Sequence, residues 1–292
     1  MENKSQNLLL IKPNAMNAGF SSIVLKEIES QFNIDKLELI KFNKKDSKKF
    51  YESAYQGHIN KYGKEMADDI SNRLANFMSS DKMLFLLISP KMQEHIGLNK
   101  EVFIEVSRAF AENLRERYLQ DHEEFKQAAN TIHCSDSPKA FDDDLKNIQS
   151  VLKTLESKKL TPLANKNIEK SIVGAISEVL KLENISTSSI NFLKKAQDIA
   201  KKIVLKPDLN KEKIMLSSYM QLIDQGININ NNYSFKNEKF ERNLVFMNGK
   251  LGSDLNCDKA GERLKQLAKV YTAITNRDIN QKHTKSSNEI ER

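Results

Sequence analysis

Long apolar runs are missing from this chain. None of its stretches approaches the roughly 20 residues that a bilayer-spanning helix needs, so no membrane span is expected. Cysteine is scarce. Cys134 and Cys257 form neither a disulfide framework nor a zinc-ligand spacing, which points to a reducing, cytoplasmic compartment. His58, His95, His122 and His283 show no ligand spacing either, so no protein-held metal is expected and these histidines are read as surface residues. The opening Met1-Glu2-Asn3-Lys4 is polar and carries an acid, the wrong pattern for a secretory signal. No interleaving of aromatic and basic residues and no nucleic-acid motif accompanies the net charge of +7, so nucleic acid is not an expected partner. No internal repeat is visible.

The charge that is present is uneven. Residues 1–150 hold 21 Lys+Arg and 23 Asp+Glu, a net −2, whereas residues 151–292 hold 25 and 16, a net +9. A chain of 292 residues can bury two cores. The asymmetry suggests two units with different partners, the basic half reading first as a solvated lysine-rich helical surface and otherwise as a surface for an acidic protein, nucleic acid or anionic lipid. The expected division is residues 1–150, a helical domain over residues 151–278, and a polar, disordered tail over residues 279–292. A basic helical extension without a signal peptide also fits a bacterial effector that enters a host cell by another route.

Residues 1–150 alternate strand and helix signals. Asn7–Ile11 is a short apolar run stopped by Pro13, the pattern of a buried strand. Helical spacing follows over 19–31, a strand over 36–42, helices over 47–55 and 66–78, the most apolar run of the chain over 83–88, and an amphipathic helix over 98–114. Residues 130–134 read as a short strand, and Pro138 suits the first position of a helix. This order predicts an α/β sandwich of ferredoxin-like type with an antiparallel sheet. Beyond residue 150 only helical patterns recur. They follow Thr161-Pro162, the Ser186–Ser189 cap and the break at Lys206-Pro207, with Gly226 ending the third. Asn228–Asn232 reads as a loop and Phe240–Met247 is ambiguous.

Two segments carry chemistry. Leu8-Leu9-Leu10-Ile11-Lys12-Pro13 delivers a lysine at a strand end. Asn130-Thr131-Ile132-His133-Cys134-Ser135-Asp136-Ser137 delivers a histidine at another, before a Ser-Asp-Ser turn and a helix. A lysine can hold phosphate by charge. Neutral imidazole, with a pKa of about 6.5, can take a phosphoryl group covalently and pass it on.

These two segments resemble the nucleoside diphosphate kinase family over roughly residues 7–150. The first matches its Lys-Pro strand end. The second matches its Asn-x-Ile-His-Gly-Ser-Asp-Ser stretch, with Cys134 in place of glycine. The resemblance implies ping-pong phosphoryl transfer from a nucleoside triphosphate to a diphosphate, with His133 as nucleophile. It implies Asp144 as the acceptor that orients the ring, where the family has the longer glutamate. Lys12, Tyr51, Arg108, Arg115, Asn130 and Ser135 then surround the nucleotide, with Asn130 at the ribose and Mg²⁺ bridging the phosphates. An oligomer is a further implication. The chain departs from the family in Asn14-Ala15 after Lys-Pro, in lacking the Gly-x-Thr-x-Pro loop between Arg108 and Arg115, and in lacking the base-stacking Pro-Phe-Phe, for which Tyr55 or Tyr62 are candidates. Two other readings stay open: a catalytically degenerate nucleotide-binding or scaffold module, and a nucleotide hydrolase on the same fold.

Overall fold

The computed structural model describes residues 5–17, 19–117, 131–156, 168–226, 248–256 and 258–288. The chain divides into two compact units, the first including Ile23–Glu156 and the second taking in the helices from Ile168 onward.

In the first unit, β1 (Asn7–Ile11) leads through α1 (Pro13–Asn17) and α2 (Ser21–Gln31) to β2 (Phe32–Ile40). Then come α3 (Lys44–Phe50), α4 (Glu52–Tyr62), α5 (Lys64–Met78), β3 (Met83–Pro90), α6 (Lys100–Arg117), β4 (Ile132–Cys134) and α7 (Pro138–Glu156). The sheet order is β2-β3-β1-β4 and every pairing is antiparallel. This is the expected ferredoxin-like arrangement. The two strands that read as unbroken apolar runs, β1 and β3, take the centre, because only there are both faces covered.

Residue parity divides the core. Leu8 and Leu10 of β1 lie beside Phe85 and Leu87 of β3 and pack with Phe50, Leu74, Met78, Phe141 and Ile148 from α3, α5 and α7. Asn7 points to the other face, where its Nδ2 donates to Ser107 Oγ of α6 at 2.6 Å. On that face Phe32 meets Phe103 and Phe110 edge-on. His95 stacks on Phe32 with ring centroids 5.7 Å apart and is half-buried, so it is not the surface residue expected.

Two elements differ from expectation for identifiable reasons. The second strand begins at Phe32, directly after α2, because a bulge between Ile34 and Lys36 breaks the alternation that marks a strand. The extra residue, Asp35, accepts from Ser89 Oγ at 3.0 Å and from Gln6 Nε2 at 2.7 Å. The expected helix over 47–55 is two helices. The first starts at a capping box of Asn43 and Asp46. The second, α4, buries no residue and stops at Gly63, whose φ of 80° suits glycine. A helix with no buried face has no clear period, which is why its limits were illegible.

Among its described residues the second unit is helical: α8 (Ile168–Val179), α9 (Thr187–Leu205), α10 (Asn210–Gln225), α11 (248–256) and α12 (Lys259–Asn288). The neighbours α8, α9 and α10 pack in succession, and α12 closes the ring by packing on both α10 and α8. Ile172, Ile176, Phe192, Leu193, Leu216, Tyr219, Leu264 and Ala268 are among its buried residues. Ser186 caps α9 by accepting from Ser189 N–H at 3.3 Å, and its hydroxyl donates to the buried Asp254 at 2.7 Å. Gly226 ends α10, and α12 runs on through residues 279–288. Thr161-Pro162, Asn228–Asn232 and Phe240–Met247 lie outside the described residues. Among the described residues no helix is long and apolar enough to cross a membrane.

Candidate active site

The site grows from the β1–β4 pairing. Leu9, Leu10 and Ile11 face Cys134, His133 and Ile132 in register. The ladder extends at both ends: Ser135 N–H donates to Leu8 O at 3.2 Å and Lys12 N–H to Thr131 O at 2.9 Å. Strand alternation therefore puts Thr131, His133 and Ser135 on one face with Leu8, Leu10 and Lys12. That face looks toward α3, α5 and α7.

Helix α7 supplies the acceptor. Ser137 caps it, its Oγ accepting from Ala140 N–H at 3.1 Å. Phe141, Asp144 and Ile148 then share the inward stripe, and Asp144 is a buried carboxylate between two core residues. Its charge is compensated. His133 Nε2 lies 2.9 Å from Asp144 Oδ2, and Ser135 Oγ donates to the same oxygen at 2.7 Å. An ionised carboxylate only accepts, so Nε2 carries the proton and Nδ1 keeps its lone pair. The short aspartate thus reaches the ring directly. Asp142, two residues earlier, turns outward and pairs with Lys100 at 2.7 Å.

Aromatic rings fix the imidazole from the side. Phe50 and Tyr51, at the end of α3, meet His133 edge-on at 5.2 and 5.8 Å. Asn147 Nδ2 of α7 donates to Lys49 O at 3.3 Å and so holds α3 in place. The Tyr51 hydroxyl donates to Met78 Sδ at 3.8 Å. Burial, with the Asp144 carboxylate nearby, pushes its pKa far above the usual phenol value.

Two cations complete the group. Lys12 is 3% exposed, with its Nζ 6.0 Å from the centre of the Phe77 ring. Burial pushes its pKa down to about 7, and repulsion from Arg115 adds to the shift. Arg115 of α6 is anchored by its Nε, which donates to Ile132 O at 2.9 Å, next to His133 in sequence.

The structure thus brings together Lys12, Tyr51, Arg115, His133, Ser135 and Asp144. Arg108 is elsewhere on α6, exposed and paired with Glu112 at 3.5 Å. Tyr55 donates to Asp68 at 2.6 Å, and Tyr62 is exposed beside Lys61. Asn130 lies outside the described residues. Phe50, Phe77 and Thr131 were not singled out in the sequence, because their place depends on the sheet register and on helices far along the chain. Asn7 was missed for the same reason: its Nδ2 also donates to Ser135 O at 3.1 Å, bracing the strand that carries His133.

Cys134 points to the opposite face from His133, against Asn7 at 3.3 Å. Burial pushes its thiol up to about 12, which leaves almost no thiolate near neutrality. An alkylating reagent should leave Cys134 unmodified in the native protein and modify it in denaturant, as read by mass spectrometry of its own peptide. Native modification at the rate of a free thiol would refute this placement.

Among the described residues no group of three or more His, Cys, Asp or Glu is placed to hold a metal ion. Asp144, the carboxylate in contact with His133, already receives two hydrogen bonds on one oxygen.

Residues 5–153, half of the chain, match the family model described as NDK, nucleoside diphosphate kinase. Among solved structures, an NDP kinase from Pyrobaculum aerophilum is similar at 17% identity and TM-score 0.38, over 49% of this chain and 94% of that one. The nucleoside diphosphate kinase of Aquifex aeolicus is similar at 24% identity and TM-score 0.32, over 49% and 94%. No curated protein matches the chain.

Proposed function

Because this chain belongs to the nucleoside diphosphate kinase family, we propose that its first unit is a nucleotide phosphotransferase working through a phosphohistidine on His133. The observation that carries this reading is the contact of His133 Nε2 with the buried Asp144, which leaves Nδ1 as the nucleophilic nitrogen.

In the first half-reaction the Nδ1 lone pair attacks the γ-phosphorus of a nucleoside triphosphate. The bond from that phosphorus to the β–γ bridging oxygen breaks, and a nucleoside diphosphate leaves. The ring gains positive charge as the P–N bond forms, and Asp144 offsets it through the Nε2–H bond. Ser135 holds the carboxylate in place. Lys12 and Arg115 neutralise the phosphoryl oxygens and align the transfer. In the second half-reaction a β-phosphate oxygen of another diphosphate attacks the phosphorus, the P–N bond breaks, and His133 is regenerated. Mg²⁺ accompanying the nucleotide supplies charge neutralisation along the phosphate chain. The basic second unit is assigned to a protein partner, and self-association through the first unit belongs to the same reading.

The test is transfer of a γ-phosphate from one nucleoside triphosphate to a diphosphate of a different base, with Mg²⁺, for the full chain and for His133→Ala. The wild type should make the new triphosphate, and the variant should fall to background. Full transfer by His133→Ala would remove the basis of the proposal. Release of inorganic phosphate in place of a new triphosphate would identify a hydrolase.

A further inference from the structure

Thr131 is fully buried, and its Oγ1 has no hydrogen-bond partner among the described residues. A buried hydroxyl without a partner is costly in any fold, and valine would fill the same space without that cost. Its position is not neutral. Thr131 is the cross-strand neighbour of Lys12, whose N–H donates to Thr131 O at 2.9 Å. It precedes β4 by one residue, and the bond to Lys12 continues the ladder, which places it on the same face as His133 and Ser135. That face already holds the Lys12 ammonium beside Arg115. An unpaired donor on the strand face that carries Lys12 and His133 suits an anionic oxygen.

We propose that the Thr131 hydroxyl is a substrate-positioning donor that hydrogen-bonds a phosphate oxygen of the nucleotide as it is delivered to His133. The inference rests on the phosphotransferase reading and adds a residue to it. Lys12 supplies charge without a fixed direction, and Arg115 is a directional donor rooted on α6 and anchored through its Nε to Ile132 O. A short hydroxyl rooted in the strand that carries His133 supplies direction, setting the phosphorus against Nδ1. The unpaired hydroxyl is then a cost the free protein carries and the bound nucleotide relieves.

The experiment compares wild type, Thr131→Val and Thr131→Ser. It reads the rate of protein labelling from γ-labelled ATP with Mg²⁺, the affinity for ADP by calorimetry, and the melting temperature. Valine should slow labelling or weaken ADP binding by about tenfold or more, the scale of a hydrogen bond to a charged group. Serine should stay within about threefold of wild type, because it keeps the donor. The valine variant should melt at or above the wild-type temperature, which separates lost positioning from lost fold. Wild-type labelling and ADP affinity in the valine variant, or equal losses in both variants, would overturn the inference. If the wild type binds ADP but takes no label, the phosphohistidine reading fails, and the ADP affinities alone decide the role of Thr131. If the wild type neither takes label nor binds ADP, both fall together.

Discussion

Asp144→Asn should keep the fold and lower the rate of phosphoryl uptake by His133 by about 100- to 10,000-fold, the range of a lost general-acid–base or orienting partner. The change removes two things at once. The negative charge that offsets the developing imidazolium is gone. The amide can also turn its NH₂ toward Nε2, which moves the ring proton to Nδ1 and blocks the lone pair that should attack. The Oδ2 atom is shared by His133 at 2.9 Å and Ser135 at 2.7 Å, so the same substitution loosens the bracket that holds the ring. Single-turnover labelling with γ-labelled ATP measures the effect, with circular dichroism as the check on folding. A rate within a fewfold of wild type would mean that Asp144 is a buried structural acid and that His133 is oriented by something else.

Lys12→Met should weaken nucleotide binding by roughly 10- to 100-fold, given the ~1.5–3 kcal/mol of a hydrogen bond to a charged group. It should also abolish a pH dependence that the wild type shows. With a pKa of about 7 in the free protein, Lys12 is charged below that pH and neutral above it. Above about pH 7 the nucleotide must bring a proton to the site, so wild-type affinity should fall toward a limit of about tenfold per pH unit. The methionine variant should show no such slope. Stability moves the other way. Between about 7 and 10.5 the unfolded chain holds a proton on this lysine that the folded chain does not, so the lysine's contribution to stability rises with pH across that window. Below it, the folded protein carries a buried ammonium, and Lys12→Met should then exceed wild type in melting temperature by its widest margin. The margin should shrink as pH climbs toward 10.5. Calorimetric binding and thermal unfolding over a pH series measure both slopes. Parallel pH profiles for the two proteins would contradict the buried, depressed lysine.

Much of this was legible in the sequence because it is local. The apolar runs of β1 and β3 stand out without their neighbours, and so does the short motif around His133. Asp144 was reachable because it falls eleven residues after His133, where the family resemblance implies an acidic partner. Arg108 and Arg115 lie two helical turns apart on α6, so periodicity could not separate them. Only the carbonyl of Ile132, which anchors Arg115, and Glu112, which holds Arg108 at the surface, distinguish the two. The start of β2 was hidden by a bulge that reverses the alternation. The unpaired Thr131 and the brace from Asn7 could not be read at all, because both follow from the pairing of strands separated by more than a hundred residues.

The central claim is that Nδ1 of His133 carries the phosphoryl group between two nucleotides. Its most direct measurement is to incubate the full chain with Mg²⁺ and ATP, isolate the protein without acid, and locate the phosphoryl group by phosphorus NMR and peptide mass spectrometry. The account predicts an acid-labile phosphohistidine on Nδ1 of His133 that a nucleoside diphosphate discharges. A phosphoryl group on another residue or on Nε2, or an unmodified protein with nucleotide bound, would contradict it.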